Sequence, residues 1–354
     1  MPEMTSLERC WTVLKGGIPD RVPVCLENFQ HAAALAGYTL GEYCLDGEKM
    51  AAAHMAAWYK FGHDMIDMEN GVATLAGAAG CEVRYTDDAP PWITRHVLES
   101  IEQVEQLKPI DPYQDGTLQE VIKATRILAR ELGGQVCLLV EADQGPFDLA
   151  AELIDPQELL VSLLDPDKEE WVHKLLEYAC QQTLRYARAL LEAGAHLTMM
   201  GESTSGPDVC SPAVYRRFAF PYQKRLVETL RAEGKSIGMH ICGNVTPIIE
   251  SMVATGAIFL QIDYKINHDI CKRAAQGKTT LIGTVDPSAV LAHGTPEDVV
   301  AAARHAIERL APGGGFILSP GCTLPYTTPD DNVAALVEAA RQYGQYRNPR
   351  DQGP

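Results

Sequence analysis

SIGMHICG, residues 236–243, is a short apolar run that ends in polar residues and a glycine. In a strand, its His240 and Cys242, two positions apart, point to the same face. Seven further runs of this kind occur: 22–29 (VPVCLENF), 63–70 (HDMIDMEN), 135–143 (QVCLLVEAD), 196–203 (HLTMMGES), 257–264 (AIFLQIDY), 279–287 (TTLIGTVDP) and 315–322 (GFILSPGC). Segments with helical periodicity lie between them, including 166–193, 213–233 and 296–310. Eight strands alternating with helices predict an α/β fold, a TIM (β/α)₈ barrel. A doubly wound open sheet is disfavoured, because ENFQHAAALAG after the first run is no Gly-rich phosphate turn.

The expected organisation is a single barrel domain over 1–354. MPEMTSLERCWTVLKGG opens as an amphipathic helix, giving an N-terminal helical segment at 1–20. The span 71–134 exceeds a usual β/α connection and contains DDAPPWITRH (87–96), so it is read as an excursion over the barrel mouth that includes a short hairpin.

The 354 residues carry a formal charge of −17, which argues against nucleic acid because a phosphate-tracking surface must be basic. No charged-then-apolar leader opens the chain and no apolar run approaches ~18 residues, so a cytoplasmic protein with no membrane association is expected. The ten cysteines, several within apolar runs (Cys25, Cys137), read as reduced core thiols rather than a disulfide framework.

The run ends hold Glu27, Glu69, Glu141, Asp143, Glu202, His240, Cys242, Asp263, Asp286 and Cys322. In a barrel these ends converge on one mouth, where active sites form. His240 and Cys242 can reach one ion, and barrel closure can bring Cys322 of SPGCTLP to it. Imidazole and thiolate suit zinc, and three protein ligands leave a fourth position open for chemistry. A structural zinc would call for four ligands in paired C-x-x-C units, which are missing, and redox chemistry lacks the C-x-x-C helix start. Glu202 is read as a displaceable fourth ligand or as a general base nearby. Asp263 and Asp286 either orient His240 or position substrate, or else cap local turns. Asn244 and Asp286 are assigned to cofactor contact. Tyr264 joins Glu27, Glu69, Glu141 and Asp143 as the substrate pocket, with His268 close by.

HICGNVTPII (240–249), LIGTVDP (281–287), GTPEDV (294–299) and GGFILSPGCTLPYTTPDDN (314–332) resemble the uroporphyrinogen decarboxylase superfamily, and within it the zinc methyltransferase branch. RVPV near the start, GPF (145–147) and SPAVYRRFAFPYQK (211–224) extend the resemblance over most of the chain. It implies a TIM barrel with a His-x-Cys…Cys zinc motif, which falls on His240, Cys242 and Cys322. The decarboxylating branch has an Arg-rich stretch after strand one; here NFQHAAALAGY (28–38) has no arginine. A mouth ringed by Glu27, Glu69, Glu141 and Glu202 would repel a substrate bearing eight carboxylates, at a cost of several kcal/mol.

The resemblance implies methyl transfer between a cobalamin on a separate corrinoid protein and a zinc-activated thiol, or the reverse step from a methyl ether or methylamine. Metal coordination deprotonates a soft nucleophile at neutral pH. The sequence shows no D-x-H-x-x-G corrinoid signature, so cobalt is expected on a partner, and a homodimer is compatible with the chain. The alternatives are a decarboxylase-like lyase and a non-catalytic tetrapyrrole- or corrinoid-binding barrel.

Overall fold

Each of the eight apolar runs contains a barrel strand: β1 Cys25–Glu27, β2 Met65–Met68, β3 Cys137–Gln144, β4 Leu197–Gly201, β5 Ile237–Ile241, β6 Phe259–Ile262, β7 Thr280–Val285 and β8 Phe316–Pro320. In the computed structural model, which describes residues 3–346, they form one parallel sheet in chain order. A parallel bridge between Val24 and Leu318 joins the last strand to the first, where the Leu318 N–H donates to the Pro23 carbonyl at 2.9 Å. The sheet is thus a barrel, wrapped by helices such as Leu118–Leu132, Glu169–Glu192 and Pro296–Leu310. Strand β3 runs one residue past its expected end, and its register against β4 shifts between Glu141 and Gln144. Such an irregularity re-aims side chains, and Asp143 there takes a positive φ of 60°.

The lower barrel interior is apolar: Cys25, Met65, Leu139, Met199, Phe259, Ile282 and Ile317 are all buried there. Cys10, Val13 and Leu14 of the helix Ser6–Leu14 belong to the same cluster and close that end. Thr5 and Glu8 cap this helix reciprocally, and it stops before Gly16 at φ 79°, so the helical part of the 1–20 segment is shorter than the segment itself. Asp64 fixes its position. This fully buried carboxylate accepts from Arg9 Nη1 and Arg21 Nη1 at 2.6 Å each, and from Ser6 Oγ and the Val24 N–H at 2.9 Å each. The ends of the 1–354 span, residues 1, 2 and 347–354, lie outside the described residues.

The span 71–134 holds the helix Thr74–Ala78, an antiparallel pair of strands Glu82–Arg84 and Trp92–Arg95, and the 3₁₀ helix Ile101–Gln106. It then enters Leu118–Leu132, an ordinary barrel helix. A Cβ on Gly71 would stand 2.9 Å from Pro91 Cδ, so the loop after β2 and the Pro-rich piece touch closely. All ten cysteines are free thiols. Among the described residues no helix is long and apolar enough to cross a membrane.

Candidate active site

The C-terminal strand ends converge on a cavity of about 200 Å³. Glu27 of β1, Glu69 beyond β2, Glu141 and Asp143 of β3, His240 of β5, Cys242 and Cys322 all line it, and Phe29, Val72 and Pro90 supply apolar wall. Pro90 comes from the 71–134 span, which therefore reaches the mouth. A larger cleft of about 700 Å³ lies beside Arg9, Asp20 and Arg341, but the metal-type donor groups found among the described residues sit in the mouth cavity.

His240 Nε2 lies 3.0 Å from Cys242 Sγ, and Cys242 Sγ lies 3.7 Å from Cys322 Sγ. The donor atoms of the three side chains all fall within 4.8 Å of one another. Two thiolates on a tetrahedral zinc with Zn–S near 2.3 Å stand about 3.8 Å apart, and a thiolate and an imidazole nitrogen about 3.5 Å apart. The sulfur pair already has that spacing, and the His–Cys pair must open by roughly half an ångström. The donor set fits zinc. Two hydrogen bonds hold the turn that carries Cys242: its N–H donates to Ser203 Oγ at 3.2 Å, and the Gly243 N–H donates to Asp263 Oδ2 at 2.7 Å. Gly243 sits at φ 81°, where a side chain would also strike Asp208.

The electrostatics suit a cation. The Cys322 thiol donates to Cys242 and, against burial, holds the Cys242 thiol far below its ordinary range, helped by the neighbouring His240 charge. Cys322 is pushed up in turn, by that same hydrogen bond and by burial. Burial opposes a charged His240 ring, yet the Cys242 thiolate outweighs it and the ring titrates high. Burial, then Asp67, lifts Glu69 to about 8. Burial likewise lifts Asp143 to about 7 and drives Glu27 and Glu141 well up.

The family model described as uroporphyrinogen decarboxylase (URO-D) matches residues 5–343. The chain belongs to that family. Over 347 residues it is 28% identical to the methylcobamide:CoM methyltransferase MtbA of Methanosarcina acetivorans, covering 97% of this chain and 99% of the relative. A solved methyltransferase from Methanosarcina mazei superposes with a TM-score of 0.87 at 27% identity, covering 96% of this chain and 99% of the other. The uroporphyrinogen decarboxylase of Thermus thermophilus is 29% identical over 313 residues, 86% of this chain and 87% of that relative. Similarity to the methyltransferases over nearly the full length, in sequence and in fold, makes this family member a methyltransferase.

Several expected site residues do other work. On β4, Leu197 and Met199 face the barrel interior, whereas Met200 packs outward, and Glu202 shares its side. Glu202 is fully buried beneath the helix Pro146–Ile154, and its Oε1 accepts the Phe147 N–H at 3.1 Å. It is absent from the metal-donor group, so the reading of it as a fourth ligand or as a general base in the mouth is corrected. Asp286, read as a cofactor contact or a local cap, accepts the Ser288 and Ala289 N–H groups at 2.9 Å each and so caps the following helical turn. Asn244 is exposed, and its Oδ1 takes the Thr246 N–H at 3.2 Å. Tyr264 is 39% exposed on the rim and lies outside the cavity wall. His268 meets Thr284 Oγ1 at 3.2 Å. Asp263 acts on the Cys242 turn rather than on the His240 ring, whose Nδ1 has no partner among the described residues. The sequence reading missed Asp67, buried below the acidic residues and bonded at 3.0 Å by Gln261 Nε2, although the period of two through 65, 67 and 69 places it inside.

Proposed function

We propose that this chain transfers a methyl group between the cobalt of a corrinoid carried on a separate protein and a thiol, or another heteroatom, held at a zinc bound by His240, Cys242 and Cys322. The observation that carries this reading is the convergence of those three donors, with zinc-like sulfur spacing, on the wall of the cavity at the barrel mouth. Zinc bound there would supply Lewis acidity, which lowers the pKa of a coordinated thiol and leaves its sulfur nucleophilic at neutral pH. In the thiol direction the thiol proton is released and a sulfur–carbon bond forms as the cobalt–carbon bond breaks, its electron pair staying with cobalt. In the demethylating direction, cob(I)alamin supplies the electron pair for a new cobalt–carbon bond as the carbon–oxygen or carbon–nitrogen bond of a methyl ether or methylamine breaks, and the released heteroatom takes up a proton.

The protein's own contribution is placement. Strand alternation aims His240 and Cys242 inward, barrel closure brings Cys322 to them, and Ser203 and Asp263 hold the Cys242 turn. Polycarboxylate decarboxylation fits poorly, because no lysine or arginine lines the cavity and four carboxyl groups do.

The test combines metal analysis with cobalt spectroscopy. Methylcobalamin with a panel of thiols, and separately cob(I)alamin with methyl ethers and methylamines, should give turnover in one direction that disappears in Cys322→Ala. Inactivity of every pair with the cognate corrinoid protein present, together with release of CO₂ from uroporphyrinogen, would overturn the reading.

A further inference from the structure

Glu27, Glu69 and Glu141 come from three adjacent strand ends and bring one carboxylate oxygen each within 4.8 Å of the others, in the same cavity as the zinc donors. Glu27 is 4% exposed and Glu69 6%. Glu27 Oε2, Glu69 Oε1 and Glu141 Oε1 have no hydrogen-bond partner among the described residues. A fourth group adds an independent observation. Asp143, 6% exposed and also on the cavity wall, spends Oδ2 on the Leu75 N–H and leaves Oδ1 unpartnered.

Buried carboxylates without a counter-charge are costly, and proteins retain them where a positive group comes to meet them. Apart from the His240 ring, which is assigned to the zinc, the cavity lining supplies no such group, since neither lysine nor arginine lines it. A metal ion alone would leave most of the space unused, because about 200 Å³ at roughly 30 Å³ per water-sized group holds a small organic molecule of about seven such groups. Phe29 adds an aromatic side chain of the type that accepts alkylammonium groups.

We propose that the Glu27–Glu69–Glu141 triad is a cation subsite, so that the small substrate of this enzyme carries an ammonium group at the triad while its reacting heteroatom lies at His240, Cys242 and Cys322. This rests on the methyltransferase reading for the second half of the statement and on the acidic cavity for the first. It predicts a preference opposite to that for an anionic thiol.

The experiment uses the zinc-loaded full chain and three thiols of equal length: 2-aminoethanethiol (cation), 2-mercaptoethanol (neutral) and 2-mercaptoethanesulfonate (anion). Calorimetric Kd values should rank cation, neutral, anion, with at least tenfold between the first two, and Glu69→Gln combined with Glu141→Gln should collapse the spread to within about threefold. A parallel arm titrates ethylammonium and ethanesulfonate, which lack the thiol, against wild type and the double variant by thermal shift. Only ethylammonium should stabilise, and only in wild type. Cation preference in the second arm with no thiol binding in the first would support the subsite while overturning the thiol-acceptor reading. Equal affinities, an anion preference, or a spread that survives in the double variant would overturn the subsite. So would a second equivalent of a divalent metal ion held by wild type and lost from the double variant.

Discussion

The Asp263 carboxylate accepts the Gly243 N–H at 2.7 Å, tying the end of β6 to the turn that carries Cys242. Its other oxygen takes the Tyr264 N–H at 2.5 Å, so the side chain is held from both sides. Asp263→Ala frees the turn while leaving all three metal donors in place. Zinc affinity should fall about 10–100-fold, the usual effect of removing a group that orients a ligand. Chelator competition measures it, and an unchanged affinity would show that the turn holds itself.

Purified protein should contain about one zinc per chain, and Cys242→Ala and Cys322→Ser should each retain little of it. The fold should survive, because the barrel core is built around buried apolar side chains rather than an ion. Metal analysis and far-ultraviolet circular dichroism on the same samples separate the two outcomes, and stoichiometric zinc in either variant would remove that cysteine from the site.

Glu202→Ala should behave as a stability variant. It strands the buried Phe147 N–H, at a cost of about 1–3 kcal/mol. Zinc content should match wild type, because the carboxylate faces the helical layer. Denaturant unfolding with metal analysis tests this, and loss of zinc at unchanged stability would return Glu202 to the metal site.

Burial lifts Asp67 to about 7 and Glu69 to about 8, so the folded state binds protons that the unfolded chain releases near pH 4. Stability therefore declines as pH rises from about 4 through 8, the reverse of the usual salt-bridged carboxylate. Thermal unfolding should show a lower Tm at pH 8.5 than at pH 5.5. Asp67→Asn, which stays neutral and can still accept from Gln261, should flatten the slope. An equal slope in that variant would remove Asp67 from the effect.

The barrel is legible in the sequence because its strands are buried on both faces and stand out as short apolar runs between periodic helices. The same property hides which way the last residue of a strand points. Met199 and Met200 are both buried, one inward and one outward, so nothing in HLTMMGES says that Glu202 faces the helices. His240 and Cys242 were legible through their spacing alone. Cys322 needed barrel closure as an assumption, since 80 residues separate it from Cys242. Asp286 and Asn244 are ambiguous in the sequence because capping and Asx-type bonds, which both make here, use the residue types that also make sites.

The helix Ser6–Leu14 is synthesised long before some of the residues it docks against. Its partners include Ile282 and Ile317, and Thr280 Oγ1 donates to the Val13 carbonyl across 267 positions. At about 5–20 residues per second, its apolar face waits some tens of seconds for them on the ribosome. The seat of this helix is complete only once β7 and β8 have formed, so Ser6–Leu14 couples the closing strands of the barrel to its opening ones.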